Sequence, residues 1–263
     1  MRISNAHLAV RRLAMAGLLA AAAACGAAKE QGGPVTTKTE AGTTTALPAS
    51  EVASRKNALV RFVHAVPGLA AVDLFAGDAK AFEGAAYKTT TAYREMPSAS
   101  ANFRLRLAGQ DAAEPLAEDS EAFATGRHHT VVAVPSRGSL LSQGAGAELR
   151  FVADEFEAPA AGRARVRVVN ASPDLDELDL YATGRAEPLL KGAKFGEATR
   201  YAEVEPAGAG VEVRRAGENI TTLNVPGLKI EAGGLYTIFV VGGTKGAARL
   251  EAFVVEDRLN AAR

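Results

Sequence analysis

The chain carries a duplicated block, and this duplication limits the fold more than any other feature of the sequence. Residues 60–76 and 166–182 align without a gap, and nine of the seventeen positions are identical. Further similar segments follow in the same order, with small changes of offset that indicate loops of different length. Solenoid repeats recur every ~20 to 50 residues, so a period near 106 residues is that of a duplicated domain. We therefore expect two domains of one fold.

The repeated segments have the pattern of β-strands. Phe103, Leu105 and Leu107 alternate with arginines, as in a strand with one buried face. Residues 131–134 and 236–241 are valine-rich runs with less alternation, which is typical of central strands. Gly and Pro recur at short intervals, and no long stretch after residue 57 keeps a helical period. The pattern predicts an all-β fold of two tandem antiparallel β-sandwiches, immunoglobulin-like or transthyretin-like.

Residues 1–24 are typical of an export signal. Arginines precede an uncharged apolar run, Leu13 to Ala24, which is too short to span a bilayer as a helix. Small residues then lead to Cys25, the single cysteine, so the chain can form no internal disulfide and no thiolate zinc site. The segment resembles the signal of bacterial lipoproteins, in which the cysteine after a small-residue box is lipidated. The resemblance implies membrane attachment through a lipid at Cys25.

One position departs from the lipoprotein pattern, because Ala22 stands where the family usually has leucine. The alternative is a secretory signal cut within the alanine run, which would give a soluble secreted protein. Gly26, rather than Asp, follows the cysteine. By resemblance to lipoproteins of bacteria with two membranes, this favours the outer membrane, at its periplasmic or surface face.

The rest of the chain divides into a linker and two domains. Residues 25–57 contain almost no large apolar side chains, so we expect a lipidated N-terminus followed by a disordered linker. The Pro- and Ala-rich segment near Pro159 to Gly162 separates the two copies. We place the first β-sandwich at residues 58–159 and the second at residues 160–263.

The second copy resembles a known domain family at both of its ends. Residues 165–174, then 178–181, are similar to the opening of the DUF4397 domain, a bacterial family of unknown function, and residues 232–237 and 255–257 are similar to its closing strands. The first copy departs more, since His64 replaces Asn170 and His129 replaces Tyr236. The two copies together cover about residues 58–263. The resemblance implies an exported β-sandwich and carries no known activity.

The charges of the chain are balanced. The chain has thirty basic and thirty acidic residues. This balance argues against a nucleic-acid partner and against purely electrostatic membrane binding. Lysine and arginine are scattered singly after residue 54, and we expect them on a solvated surface.

The sequence assigns no residue to a catalytic, cofactor-binding or metal site. His128 and His129 are adjacent on an expected strand and point to opposite faces, so they would not chelate one ion together. His64 is expected to cap a turn, as Asn170 would in the second copy. Motifs for nucleophilic catalysis or phosphate binding are absent from the sequence.

An acidic cluster offers oxygen atoms to Ca²⁺ but lacks the spacing of an EF-hand loop. Its members are Asp174, Asp176, Glu177 and Asp179. In the first copy only Asp73 persists, at the position of Asp179, and we expect this pair to accept backbone hydrogen bonds at turns. Asp73/Asp179 and Tyr93/Tyr201 are the only reactive pairs that we expect the copies to share.

These features predict a non-catalytic envelope lipoprotein whose sandwiches bind a protein or a glycan through loops or an edge strand, without a cofactor. One alternative is an envelope hydrolase with a dispersed active site. The other is a structural spacer or accessory subunit of a surface assembly. An enzyme should show a deep pocket with convergent polar groups, whereas a binding protein should show an exposed apolar patch.

Overall fold

The computed structural model describes residues 57–97, 99–137, 146–208, 210–243 and 248–257. In these residues the chain forms strands and no helix, so none of its elements is a helix that could span a membrane. The strands of the first half are β1 (Asn57–His64), β2 (Val72–Ala76), β3 (Ala79–Ala85), β4 (Arg94–Pro97), β5 (Ser100–Leu107), β6 (Ala117–Ala122), β7 (His128–Pro135) and β8 (Ala147–Asp154). Those of the second half are β9 (Ala164–Asn170), β10 (Glu177–Ala182), β11 (Pro188–Lys194), β12 (Ala202–Val204), β13 (Gly210–Arg215), β14 (Thr221–Pro226), β15 (Leu235–Val241) and β16 (Glu251–Glu256).

Each half contains two four-stranded sheets, and the two halves have the same strand order. In the first half the inner sheet runs β4-β1-β7-β8 and the outer sheet runs β3-β2-β5-β6. The second half repeats this with an inner sheet β12-β9-β15-β16 and an outer sheet β11-β10-β13-β14. The prediction of an all-β fold of two tandem sandwiches is confirmed. The immunoglobulin-like or transthyretin-like topology stays a prediction.

Two strand pairs are parallel, which the sequence pattern did not indicate. Strand β1 pairs with β7 and strand β9 with β15 in this direction, while the other neighbouring strands of the described residues are antiparallel. Between β1 and β7 the chain passes through the outer sheet twice, with β4 of the inner sheet in between, and β7 then runs in the direction of β1; β9 and β15 are connected in the same way. Such a crossover is what a parallel pair requires.

Each half has its own core between its inner and outer sheet. In the first half, Phe62 of β1 packs in one cluster with Phe103 and Leu105 of β5, both fully buried. Arg104 and Arg106 lie on the other face of β5, so the predicted alternation is confirmed. In the second half, Val166 and Val168 of β9 belong to the corresponding cluster.

A third buried cluster joins the two halves. Val63 of β1 and Val132 of β7 lie in it together with Val169 of β9 and Phe239 of β15. The inner sheets therefore pack against each other by the faces that point away from their own outer sheets, and the described strands form a stack of four sheets. Because the central strands are buried on both faces, they show the weak alternation noted in the sequence.

The parts of the chain outside the two sandwiches are described only in part. The expected signal at residues 1–24, the lipidation site Cys25 and the linker up to residue 56 lie outside the described residues, and Asn57 already begins β1. Between the halves, β8 ends at Asp154 and β9 begins at Ala164. The domain boundary near residue 159 stays a prediction.

Candidate functional site

Two arginines lie buried between the inner sheets. Arg61 in β1 and Arg167 in β9 occupy equivalent positions and are only 3% and 2% exposed. Their neighbours Phe62 and Val168 point into the core of their own half, so strand alternation turns the arginines toward the opposite half. The expectation that arginine lies on the solvated surface is wrong for these two residues.

Each arginine is paired with an aspartate of the other half. Nη2 of Arg61 donates to Oδ1 of Asp257 at 2.7 Å. Nη2 of Arg167 donates to Oδ1 of Asp154, and its Nη1 donates to the carbonyl oxygen of Ala153 at 3.2 Å. The two ion pairs therefore cross the face between the halves in opposite directions, as an approximate two-fold axis requires.

A threonine and a tyrosine complete the arrangement around each aspartate. Oγ1 of Thr130 accepts from Nε of Arg61 at 2.8 Å and donates to Oδ2 of Asp154 at 2.7 Å. The hydroxyl of Tyr93 donates to the same Oδ2 at 2.7 Å. Each oxygen of the Asp154 carboxylate is therefore occupied by protein donors.

The second half repeats these contacts. Oγ1 of Thr237 accepts from Nε of Arg167 at 2.8 Å and donates to Oδ2 of Asp257 at 2.5 Å, and the hydroxyl of Tyr201 donates to that oxygen at 2.6 Å. The guanidinium of each arginine also lies over the ring of the tyrosine in its own half, at 4.8 Å for Arg61 on Tyr93 and 4.6 Å for Arg167 on Tyr201. We call these eight residues the paired network: Arg61, Tyr93, Thr130, Asp154, Arg167, Tyr201, Thr237 and Asp257.

Burial and neighbouring charges shift the pKa values of Asp154 and Tyr93 in the paired network. Burial alone would raise the pKa of Asp154, but the charges of Arg167 and Arg61 and the hydrogen bonds from Thr130 and Tyr93 bring it below the ordinary value. Burial and the nearby Asp154 carboxylate raise the pKa of Tyr93 well above its usual range. At neutral pH Asp154 therefore stays ionised, and Tyr93 stays neutral. Both oxygens of Asp154 already accept from protein donors, so this carboxylate is not placed to take a proton from a substrate.

Most of the paired network was not predicted from the sequence. Tyr93 and Tyr201 are the members that the sequence indicated, but the prediction that these and Asp73/Asp179 are the only reactive pairs common to both copies is wrong. The sequence does contain a signal for this network. Arg61 and Arg167 occupy equivalent positions in apolar strands of the two copies, and so do Thr130 and Thr237. A charged residue that recurs inside a buried strand indicates a buried partner.

An open groove of about 380 Å³ borders the paired network at the junction. Both halves contribute to its lining, which includes Phe151 and Glu155 from the first half and Arg167, Arg200 and Tyr201 from the second. The polar groups of Arg167 and Tyr201 are directed at Asp154 and Asp257, so they are already bound inside the protein. The buried polar groups of Arg167 and Tyr201 in this groove are therefore committed to joining the halves.

His64 and Asn170 have the same structural role. Nδ1 of His64 accepts from the amide of Val66 at 3.2 Å, as Oδ1 of Asn170 accepts from the amide of Ser172 at 3.1 Å. Nε2 of His64 lies 3.2 Å from the carbonyl oxygen of Ala70, which assigns the proton to Nε2. The predicted turn cap is confirmed, and burial lowers the pKa of His64 despite backbone hydrogen bonds that favour its charged form.

The other two histidines lie on opposite faces of β7, as predicted. The ring of His128 packs against Tyr93 at 5.0 Å and Phe156 at 5.2 Å, while the ring of His129 packs against Phe123 at 4.6 Å. Burial lowers the pKa of His129. Both rings thus take part in aromatic packing.

Asp73 and Asp179 anchor equivalent β-bulges in the outer sheets. Oδ1 of Asp73 accepts from the amide of Gly84 at 2.7 Å, and Oδ1 of Asp179 accepts from the amide of Gly192 at 2.9 Å. Both glycines have a positive φ, 62° and 74°, which a bulge of this kind requires. The prediction that this pair accepts backbone hydrogen bonds is confirmed, but the equivalent contacts lie at bulges within the strands and not at turns.

Asp73 is held by more partners than Asp179. Its Oδ2 accepts from the amide of Gly109 at 3.2 Å and from Nζ of Lys80 at 2.9 Å. Burial would raise the pKa of Asp73, but Lys80 and the two amides bring it below the ordinary value.

The acidic cluster around Asp174 is not gathered around one point. Oδ1 of Asp176 pairs with Nη1 of Arg137 at 2.5 Å, which lowers the pKa of Asp176. Asp179 is bound to its bulge, and the carbonyl oxygen of Asp174 accepts from Arg215 at 3.0 Å. Among the residues that the structure describes, no three His, Cys, Asp or Glu side chains are placed to hold one metal ion. The absence of a Ca²⁺ site stays a prediction.

Comparison with known proteins identifies a family but no activity. No curated protein matches the chain. Among solved structures, the chain is similar to a protein from Bacteroides fragilis NCTC 9343 that is described as a "putative cell adhesion protein", with 10% identity and a TM-score of 0.18, over 76% of this chain and 97% of that one. A family model described as "Domain of unknown function (DUF4397)" matches twice, at residues 58–181 and 164–263. The chain belongs to the DUF4397 family.

Proposed function

We propose that this protein is a cell-envelope lipoprotein, anchored through Cys25, in which two joined sandwiches form a rigid, non-catalytic unit that binds a protein or a glycan. The observation that carries the proposal is the state of Asp154. Its two oxygens accept from Arg167, Thr130 and Tyr93, and its pKa lies below the ordinary value. The buried charges of Arg61, Asp154, Arg167 and Asp257 therefore join the two halves instead of facing a substrate.

The rival function, an envelope hydrolase, needs a base or nucleophile that meets solvent in a pocket. The junction groove is the best place for it, because it lies next to the paired network. In this groove the hydroxyl of Tyr201 donates to Asp257. Burial raises the pKa of Tyr201; the positive charge of Arg167 lowers this pKa, and the negative charge of Asp257 raises it. A neutral, donating tyrosine is a poor nucleophile at neutral pH, which favours binding over catalysis.

A substrate screen distinguishes these two functions. The purified protein is tested against ester, glycoside and peptide substrates, together with Tyr201→Phe and Asp179→Asn. We expect no turnover above the buffer control. Turnover that disappears in either variant while its melting temperature stays unchanged would establish an enzyme and reject the proposal.

The anchor is tested by cell fractionation of the wild type and Cys25→Ser. We expect the wild type in the membrane fraction and the variant in the soluble fraction, because several acyl chains give a durable anchor that the serine cannot carry. Gly26→Asp is the matched control, since it keeps the cysteine and should only move the protein to the inner membrane. If both the wild type and Cys25→Ser are soluble, the protein is secreted without a lipid.

Binding is tested by chemical crosslinking in intact cells, followed by purification of the anchored protein. We expect one protein or glycan to be crosslinked to the wild type and to be lost in Cys25→Ser, which would no longer be held at the same surface. A wild type that is anchored, inactive and free of crosslinked material would instead indicate a structural spacer.

A further inference from the structure

Every open sheet has two edge strands, and the backbone N–H and C=O groups on the outer side of an edge strand are free to pair with another chain. The four sheets have such strands in β3, β4, β6, β8, β11, β12, β14 and β16. Of these, β14 is the one without a charged residue, as its sequence is Thr-Thr-Leu-Asn-Val-Pro. Charged side chains on an edge strand oppose pairing, so β14, which has Pro226 at its end but no charge, is the strand of these eight that charge does not protect.

The equivalent strand of the first half is protected in the expected way. Strand β6 occupies the same place at the end of the other outer sheet, and it carries Glu118, Asp119 and Glu121. If β6 paired with β6 of a second copy, the carboxylates of the two strands would lie close together and repel each other. The two halves share their fold, but they differ in charge at this position.

The residues around β14 also favour association. Residues 219–228 contain no charge, and Ile220 is 74% exposed just before the strand begins. Among the described residues, Ile220 is the one large hydrophobic side chain with such exposure. An edge strand without charge leaves its outward backbone groups open to pairing, and an apolar side chain beside it adds area that pairing would bury.

The charges that flank β14 favour a second copy of the same segment as its partner. Glu218 precedes the uncharged segment and Lys229 follows it, and both are exposed. When two copies of this segment run antiparallel, the acidic end of one lies near the basic end of the other. The segment is therefore complementary to itself.

We propose that β14 pairs with β14 of a second copy of this chain in antiparallel orientation, so that two outer sheets join into one continuous sheet. Strand addition of this kind supplies main-chain hydrogen bonds, and Ile220 loses exposure at each end. The interface is isologous, which gives a closed dimer. The proposal goes beyond the function proposed above, since it requires neither the lipid nor another ligand.

The first test measures association of the full chain carrying Cys25→Ser, which has no lipid and no thiol. Sedimentation velocity at increasing concentration should show a monomer–dimer equilibrium. Asn224→Lys places two lysines close to the two-fold axis, because Asn224 is exposed in the middle of β14. We expect it to raise the dimer dissociation constant about tenfold or more at low salt. Ser120→Lys on β6 is the matched control and should leave association unchanged.

A second measurement keeps the test decisive if Asn224→Lys impairs folding. In the Cys25→Ser background, Asn224→Cys should give a disulfide-linked dimer under mild oxidation, and Ser120→Cys should not. A chain that stays monomeric at every concentration, a dimer that is insensitive to Asn224→Lys, or equal crosslinking of both cysteine variants would overturn the proposal. The proposal would also be overturned if the chain stayed monomeric and β14 paired with an added extended peptide.

Discussion

Arg61 donates to Asp257 at 2.7 Å, so the first strand of the first half is tied to the residue that follows the last strand of the second half, 196 positions later. Arg167 and Asp154 form the reciprocal pair. A buried ion pair gains little net stability, since desolvation offsets most of the Coulomb attraction, but an unpaired buried charge is expensive. The paired network thus adds little net stability, but it makes one arrangement of the halves much lower in free energy than any arrangement that leaves these charges unpaired.

Arg167→Met should lower the free energy of unfolding by about 3–5 kcal/mol, because the Asp154 carboxylate loses its closest positive partner while it stays buried. Urea unfolding followed by circular dichroism measures the loss. Adding Asp154→Leu should recover about 1–3 kcal/mol of it, because the double variant leaves no charge without its partner on that side. Strictly additive losses would show that the two residues do not interact.

Arg165→Met is the matched control for this experiment. Arg165 lies in the same strand as Arg167 and its side chain is 15% exposed, but the side chain of its partner Glu157 is 75% exposed, so solvent screens this ion pair. Exposed ion pairs contribute about 0–1 kcal/mol, so this variant should unfold close to the wild type. A loss as large as that of Arg167→Met would mean that the charge of the strand, rather than the buried pair, is what matters.

His64 should make stability fall as the pH is lowered below about 6.5. Its folded-state pKa is lowered from 6.5, so below that pH the unfolded chain binds a proton that the native protein resists. Protonation would also place an N–H against the amide of Val66. His64→Asn installs the cap that Asn170 provides in the second half, and it should flatten this part of the profile. Urea unfolding between pH 5 and pH 8 tests this, and an unchanged slope would contradict it.

Asp179→Asn should lower thermal stability by about 0.5–1.5 kcal/mol, because the amide oxygen can still accept from Gly192. Asp73→Asn should cost more, about 1.5–3 kcal/mol, since one of its three donors must then face an NH₂ group. The exposed Asp78→Asn is the control and should stay within about 0.5 kcal/mol. Calorimetry measures all three, and equal losses at Asp73 and Asp179 would be evidence against this account of the bulges.

Residues 163–263 expressed alone should give β-type circular dichroism and cooperative melting, because the second half has its own core. The fragment exposes Val169 and Phe239 and leaves Arg167 and Asp257 without their partners in the first half. Two fragments can satisfy all of these groups by pairing with each other, so we expect a dimer even with Asn224→Lys present. An unfolded fragment would mean that the halves fold only together.

The sequence indicated the fold better than the paired network. Strand positions, the duplication and the roles of His64, Asp73 and Asp179 follow from alternation and from comparison of the copies. The parallel pairing of β1 with β7 depends on a path through the other sheet, which local pattern does not record. The partners of Arg61 and Arg167 were missed because each lies in the other half, about 13 to 196 residues away along the chain. Only the recurrence of a charged residue inside an apolar strand signalled them.

The reciprocal ion pairs have the form of the contacts in a symmetric dimer, where residue i meets j and j meets i. Joining two such subunits in one chain keeps each at a high effective concentration near the other, so their association no longer depends on expression level. It also removes the requirement that both subunits be identical. One outer sheet of this molecule ends in the acidic edge strand β6, and the other ends in the uncharged edge strand β14. Gene duplication has thereby given a symmetric scaffold two chemically different ends, each free to evolve separately.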